Sequence, residues 1–210
     1  MKELDLLKKD WKKNENSFVQ ISEIEIYKMI HKRSSSIVKW ILIISILEVL
    51  LWTSISILFN TDDYFKKMDH VELIPFMKGI TYLNYGVILV FIYLFYKNYI
   101  QISTTESTKQ LMKTILRTRK TVQCYVWYNL GMALISLIIG YIIALLYNPE
   151  TSALMSQITN SGKVMAITIG VLVFTTVAFF GVFWLFYRLL YGILLRRLYA
   201  NYKELKKIDL

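Results

Sequence analysis

The stretch RSSSIVKWILIISILEVLLWTSISILFN, residues 33–60, decides the fold. From Trp40 to Phe59 it runs 20 residues with one charge, Glu48, and neither Gly nor Pro. A helix of that length rises ~30 Å, which matches the hydrocarbon core of a bilayer. The segment is too long, and begins too late, for a cleaved signal peptide, and no small-residue cleavage pattern follows it. It reads as the first of four membrane spans.

Working outward, the same apolar signal recurs three times. The reading assigns residues 37–59 to the first span, 80–102 to the second, 125–147 to the third and 164–187 to the fourth. Residues 60–79 and 148–163 are polar outer loops, and the third span closes on Asn148-Pro149. Residues 103–124 read as a basic helix between spans, with Lys109, Lys113 and Arg117 recurring every four residues and Ser103 and Glu106 placed as a capping box. After Arg188 the chain continues as a basic helical tail, 188–210. There Tyr187, Tyr191, Leu194, Leu198, Tyr202 and Leu205 step by four or three along one side. Ahead of the first span, residues 1–36 form an amphipathic arm. Leu4, Leu7 and Trp11 give its first helix an apolar side. Ser22 and Glu25 fit a capping box for a second helix, with Ile26, Tyr27 and Ile30 on its apolar side. The fold class is all-α, an integral-membrane four-helix bundle with short N-terminal helices and a C-terminal helical extension.

Composition agrees, since 55% of the residues are hydrophobic and only two prolines interrupt the chain. The net charge of +10 invites a nucleic-acid reading, but its distribution points elsewhere. With both termini inside, 21 Lys and Arg fall on the cytoplasmic side and four on the outer loops, which fixes the expected orientation. The natural partner of such a face is the anionic lipid of the cytoplasmic leaflet, not nucleic acid. Trp40, Tyr82, Tyr96, Trp127, Tyr147, Trp184 and Tyr187 lie near span ends as an aromatic belt. The expected location is a bacterial inner membrane.

Glu48 is the one ionisable residue deep in a span, and such a group faces the bundle interior and pairs. Counting from the cytoplasmic ends places Ser136, Thr175 and Thr176 at its depth. A neutral Glu48 bonded to Ser136 or Thr175 is therefore one expectation; a proton or cation path through Glu48, and a contact with lipid or a partner helix, are the alternatives. Ser136, Gly140 and Ala144 in the third span, and Ala166 and Gly170 in the fourth, are spaced by four and predict close helix packing. His31 and His70 fall on opposite sides of the membrane, and Cys124 is the only cysteine, so neither a metal site nor a disulfide is expected. No catalytic motif and no cofactor signature is present.

LDLLKKDWKKN (4–14), EIYKMIHKRSSSIVKW (25–40) and RLLYGILLRRLYANYKEL (188–205) resemble segments of small bacterial four-span inner-membrane proteins. Some of these carry a beta-carotene oxygenase label. That chemistry needs several histidines around one iron, which two separated histidines cannot supply. The layout is also similar to membrane-anchored anti-sigma factors, which implies capture of a cytoplasmic protein by the N-terminal segment. The chain lacks the His-x-x-x-Cys-x-x-Cys zinc signature of one such class, so the resemblance extends to the zinc-free kind. The expected function is accordingly non-enzymatic: a regulator or scaffold that binds a cytoplasmic or membrane protein, such as a sigma factor, through its arm, with a homo-oligomer as a further option. The alternative is a small transporter, or a subunit of one, with Glu48 in its path.

Overall fold

The computed structural model describes residues 22–59, 65–66, 70–148 and 151–208, and these contain helices and connecting turns. The helices are α1 (Glu23–Leu58), α2 (Leu73–Thr104), α3 (Thr108–Tyr147), the short α4 (Ser152–Asn160), α5 (Gly162–Tyr187) and α6 (Ile193–Ile208). A five-residue π-helical turn, Arg188–Gly192, joins α5 to α6 without a break, so four long rods stand side by side. All four are long and apolar enough to cross a membrane, and the protein is a membrane protein with an all-α bundle fold.

The rods overshoot the bilayer. At 1.5 Å per residue, the 36 residues of α1 and the 40 of α3 span about 54 and 60 Å, against a hydrocarbon core of about 30 Å. The excess lies at the end that carries Arg33, Lys97, Lys120 and Arg188, the basic end. The arm and the first span are thus continuous from Glu23, because no Gly or Pro in residues 23–58 interrupts the helix. The same holds for residues 108–147, where the basic helix and the third span are one rod. The second span begins earlier than its apolar run, since Pro75 sits in the first turn of α2, where its missing N–H costs nothing.

The capping box at Ser22 and Glu25 is present, with both reciprocal bonds at 3.2 Å. The one expected at Ser103 and Glu106 is not. Instead α2 runs on through Thr104, the Ser103 hydroxyl donates to the Ile100 carbonyl at 2.9 Å, and Ser107 occupies the N-cap of α3. Short hydroxyl side chains bond the preceding turn as readily as they cap the next one.

Packing is dense at the basic end and open at the other. Ile30, Ser34, Ile37 and Ile41 of α1 face Phe95, Asn98 and Ile102 of α2, together with Leu111, Ile115, Thr118 and Val122 of α3 and Leu198, Asn201 and Leu205 of α6; all are buried. Their four-and-three spacing is that of a coiled-coil seam, which lets side chains interlock between near-parallel helices. Tyr27 closes this bundle with a hydroxyl bond to the Thr105 carbonyl at 3.0 Å. Ile26 and Tyr27 pack against the core that contains Ile30, so these three residues do not present a free docking face. Leu4, Leu7 and Trp11 lie outside the described residues.

Toward the opposite end burial is sparser, with a small second cluster of Phe65 and Ile143 packed by Leu73, Ile74, Met77, Ile139 and Tyr147. Of α5, only Tyr187 is buried, and Val171, Phe174, Val177 and Val182 are exposed where lipid chains would cover them. The small-residue faces are not close contacts. A methyl group built at Gly140 or Gly170 meets nothing within 4 Å, and Ala166 is exposed, while Ala144 is half-buried. Small residues permit close approach but do not drive it, and here the tight seam forms elsewhere, from large side chains at the basic end.

Candidate intramembrane binding site

The seam of α1 that begins with Ile30 ends at Ser45 and Glu48, so Glu48 points into the bundle and is only 5% exposed. Its carboxylate receives three phenols. Tyr125 and Tyr191 donate to Oε2 at 2.9 and 3.0 Å, and Tyr187 donates to Oε1. Tyr125 is the last member of the α3 seam, one step beyond Val122. Tyr187 precedes the π turn and Tyr191 lies within it, and their rings stack at 6.1 Å and 19° with both hydroxyls on Glu48 of α1. Phe91 and Phe95 of α2 meet the Tyr125 ring edge-on at 5.3 and 5.4 Å and complete the enclosure.

The arrangement is one of donors converging on an acceptor. An ionised carboxylate only accepts hydrogen bonds, and three O–H groups aimed at its two oxygens suit that form. The donors are neutral, and no described Lys, Arg or His forms an ion pair with Glu48. Phenols would spread a negative charge on Glu48 without cancelling it.

Beyond Glu48, toward the open end, lies a cavity of about 490 Å³ between α1, α2, α3 and α5. Glu48, Tyr125 and Tyr187 form its floor. One wall is aromatic: Trp52 stacks on Phe183 at 5.7 Å and 18°, and Phe183 packs on Phe179 at 4.5 Å. The rest of the lining presents Asn84, Tyr85 and Asn129, each hydrogen-bonded to a neighbour. Tyr128 donates to Asn84 Oδ1 at 3.0 Å, Thr53 and Tyr85 share a bond of 3.3 Å, and Asn129 donates to the Tyr125 carbonyl at 2.9 Å. Its size suits a small organic ligand, and it combines an apolar body with few polar groups.

The expected polar cluster is only partly assembled. Ser136 lines the cavity with Glu48 but does not bond it. Thr175 bonds Tyr141 at 2.6 Å and its own helix at Val171, and Thr176 bonds the Leu172 carbonyl. The depth count fails because Glu48 sits level with Tyr125, 11 residues before Ser136, which is roughly 16 Å along α3. The count treats the boundaries of the apolar runs as level with one another, whereas helix register sets depth. Tyr125 and Tyr191 went unassigned to Glu48, and Tyr187 read as an interfacial ring. The signal that would have found them is the four-and-three stripe of the last helix, which carries tyrosine at two successive steps.

The other titratable groups stay apart. His70 Nδ1 lies 2.8 Å from Glu72 Oε1 and meets the Tyr147 ring edge-on, far along the chain from His31. The His70 hydrogen bond holds the exposed Glu72 carboxyl below its usual range. Cys124 is exposed. Among the described residues, no three His, Cys, Asp or Glu gather as a metal site.

A family model described as a domain of unknown function (DUF8845) matches residues 24–210. No curated protein and no solved structure matches the chain.

Proposed function

We propose for this chain, which belongs to the DUF8845 family, a non-enzymatic role: it takes a hydrophobic cation into the cavity beside Glu48, as a small transporter or the binding subunit of a transport complex. The observation that carries this reading is an acid held by three neutral phenols, with no described counter-cation, on the floor of an aromatic-walled cavity. A cation there gains the Glu48 charge at low dielectric and the faces of Trp52, Phe179 and Phe183. An anion gains neither. The orientation proposed is the one that puts the basic end in the cytoplasm of a bacterial inner membrane, which a reporter fused near Glu106 or near Ser156 would test.

The test uses the full chain in neutral-lipid nanodiscs, titrated with tetraphenylphosphonium and with its isosteric anion tetraphenylborate. Saturable binding of the cation alone, weakened at least tenfold by Glu48→Gln, is expected. Equal binding of the two ions, or a Gln variant that binds like the parent, would overturn the reading.

A second reading is capture of a cytoplasmic protein, such as a sigma factor, by the N-terminal segment. What favours it is that Glu23–Leu58 is a single rod, so a load at its N-terminal end acts on the same helix that carries Glu48. Docking would then fall to Leu4, Leu7 and Trp11, because Ile26, Tyr27 and Ile30 serve the internal core. A pull-down from membranes with and without residues 1–21 separates the two readings.

A further inference from the structure

A second hollow, of about 480 Å³, lies at the basic end where α2 gives way to α3. Lys109, Lys113 and Arg117 line it from one face of α3, with Gln110 between them and Gln101 opposite on α2. No acidic residue lines it. Arg117 Nη1 approaches Gln101 Oε1 at 3.4 Å, so a neutral amide holds the guanidinium over the hollow and leaves its charge uncompensated. None of the three cations pairs with a described carboxylate.

Other cations of the same end are differently placed. Arg119 and Lys203 lie over the Tyr199 ring at 4.4 and 5.1 Å, and Arg188 lies over Trp184 at 4.8 Å. Those charges rest on aromatic faces. Lys109, Lys113 and Arg117 instead stand at i, i+4 and i+8, a like-charge spacing that weakens a helix unless an anion lies between. Ser107, the N-cap of α3 at the rim of the hollow, makes no capping bond, so the first N–H groups of the helix also face outward unsatisfied by it.

We propose that this hollow is a binding site for a phosphate-bearing anion. Arg117 would take two phosphate oxygens with its planar fork, the lysines would act as point charges, and the amide of Gln110 would add a neutral donor. The stripe runs from Lys109 to Arg117, eight residue steps or about 12 Å along the axis, and its Arg117 end is the one nearer the spans. The phosphate can therefore come from an acidic lipid headgroup or from a soluble phosphate compound. This inference stands apart from the Glu48 cavity and does not need it.

The test reads protection of Lys109 and Lys113 from an amine-acylating reagent, by mass spectrometry, on the full chain in nanodiscs. In phosphatidylcholine discs, inorganic pyrophosphate is titrated; in a second set, phosphatidylglycerol replaces part of the lipid and no pyrophosphate is added. Protection by pyrophosphate assigns a soluble ligand, and protection by phosphatidylglycerol alone assigns a lipid. In either case the apparent affinity should fall at least tenfold in the Lys113→Gln/Arg117→Gln variant, read at Lys109. It should change less than twofold in Lys206→Gln/Lys207→Gln. If neither probe protects Lys109 and Lys113 more than Lys206 and Lys207, or if both double variants lose affinity equally, the site does not exist.

Discussion

Replacing Glu48 with leucine removes, at nearly constant volume, the acceptor that joins α1 to α3 and to the π turn. Three phenol hydrogen bonds are lost together. Interhelical hydrogen bonds in membranes average about 0.6 kcal/mol, with a ceiling near 1.7. Three of them put the loss at about 2 kcal/mol and bound it at about 5 kcal/mol. Glutamine behaves differently. Its amide oxygen can keep the pair from Tyr125 and Tyr191, and its NH₂ can donate to Tyr187, whose hydroxyl turns to accept. Glu48→Gln should therefore cost no more than one such bond, about 0.6 kcal/mol, while abolishing the charge. The assay is equilibrium unfolding in mixed micelles titrated with dodecyl sulfate. Fluorescence is a suitable readout because Trp52 stacks on Phe183 beside the site. A Glu48→Leu protein as stable as the parent would refute the network as a tertiary bond. A Gln protein destabilised as much as the Leu protein would show that the charge itself, not hydrogen-bond number, holds the helices.

Gly140→Leu should leave stability unchanged within about 0.5 kcal/mol, because nothing lies within 4 Å of the added side chain's first carbon. Ile115→Ala, in the fully buried seam of α3, should cost about 2–5 kcal/mol in the same unfolding assay. Ser22→Ala removes the side-chain half of the capping box and should cost about 1 kcal/mol, detectable as faster backbone amide exchange in the first turn of α1. Burial, and then the charge of Glu106, raise the Tyr27 hydroxyl above its ordinary pKa of 10.0. The folded value exceeds the unfolded one, so Tyr27 contributes stability at neutral pH that is lost as pH rises past about 10. Tyr27→Phe should flatten that alkaline loss in a pH series of unfolding curves.

The sequence by itself determined the membrane class, the four spans and the charged end, because each depends on local properties that add along the chain. Twenty residues from Trp40 to Phe59, mostly apolar and with a single charge, span a bilayer whatever they pack against, and the Ser22–Glu25 cap closes within four residues. The seam of the last helix was legible for the same reason, as steps of four and three from Tyr187 to Leu205. What only the tertiary structure decided was which residues meet. Glu48 finds Tyr125, Tyr187 and Tyr191, which lie 77, 139 and 143 residues away. Their partnership depends on the relative heights of three helices and on one π turn. No local pattern encodes those heights, and an error of three turns along α3 moves the carboxylate from Tyr125 to Ser136. The same physics undid the small-residue faces: a spacing of four says that Gly140 can be approached closely, and only the packing of every other side chain says whether it is.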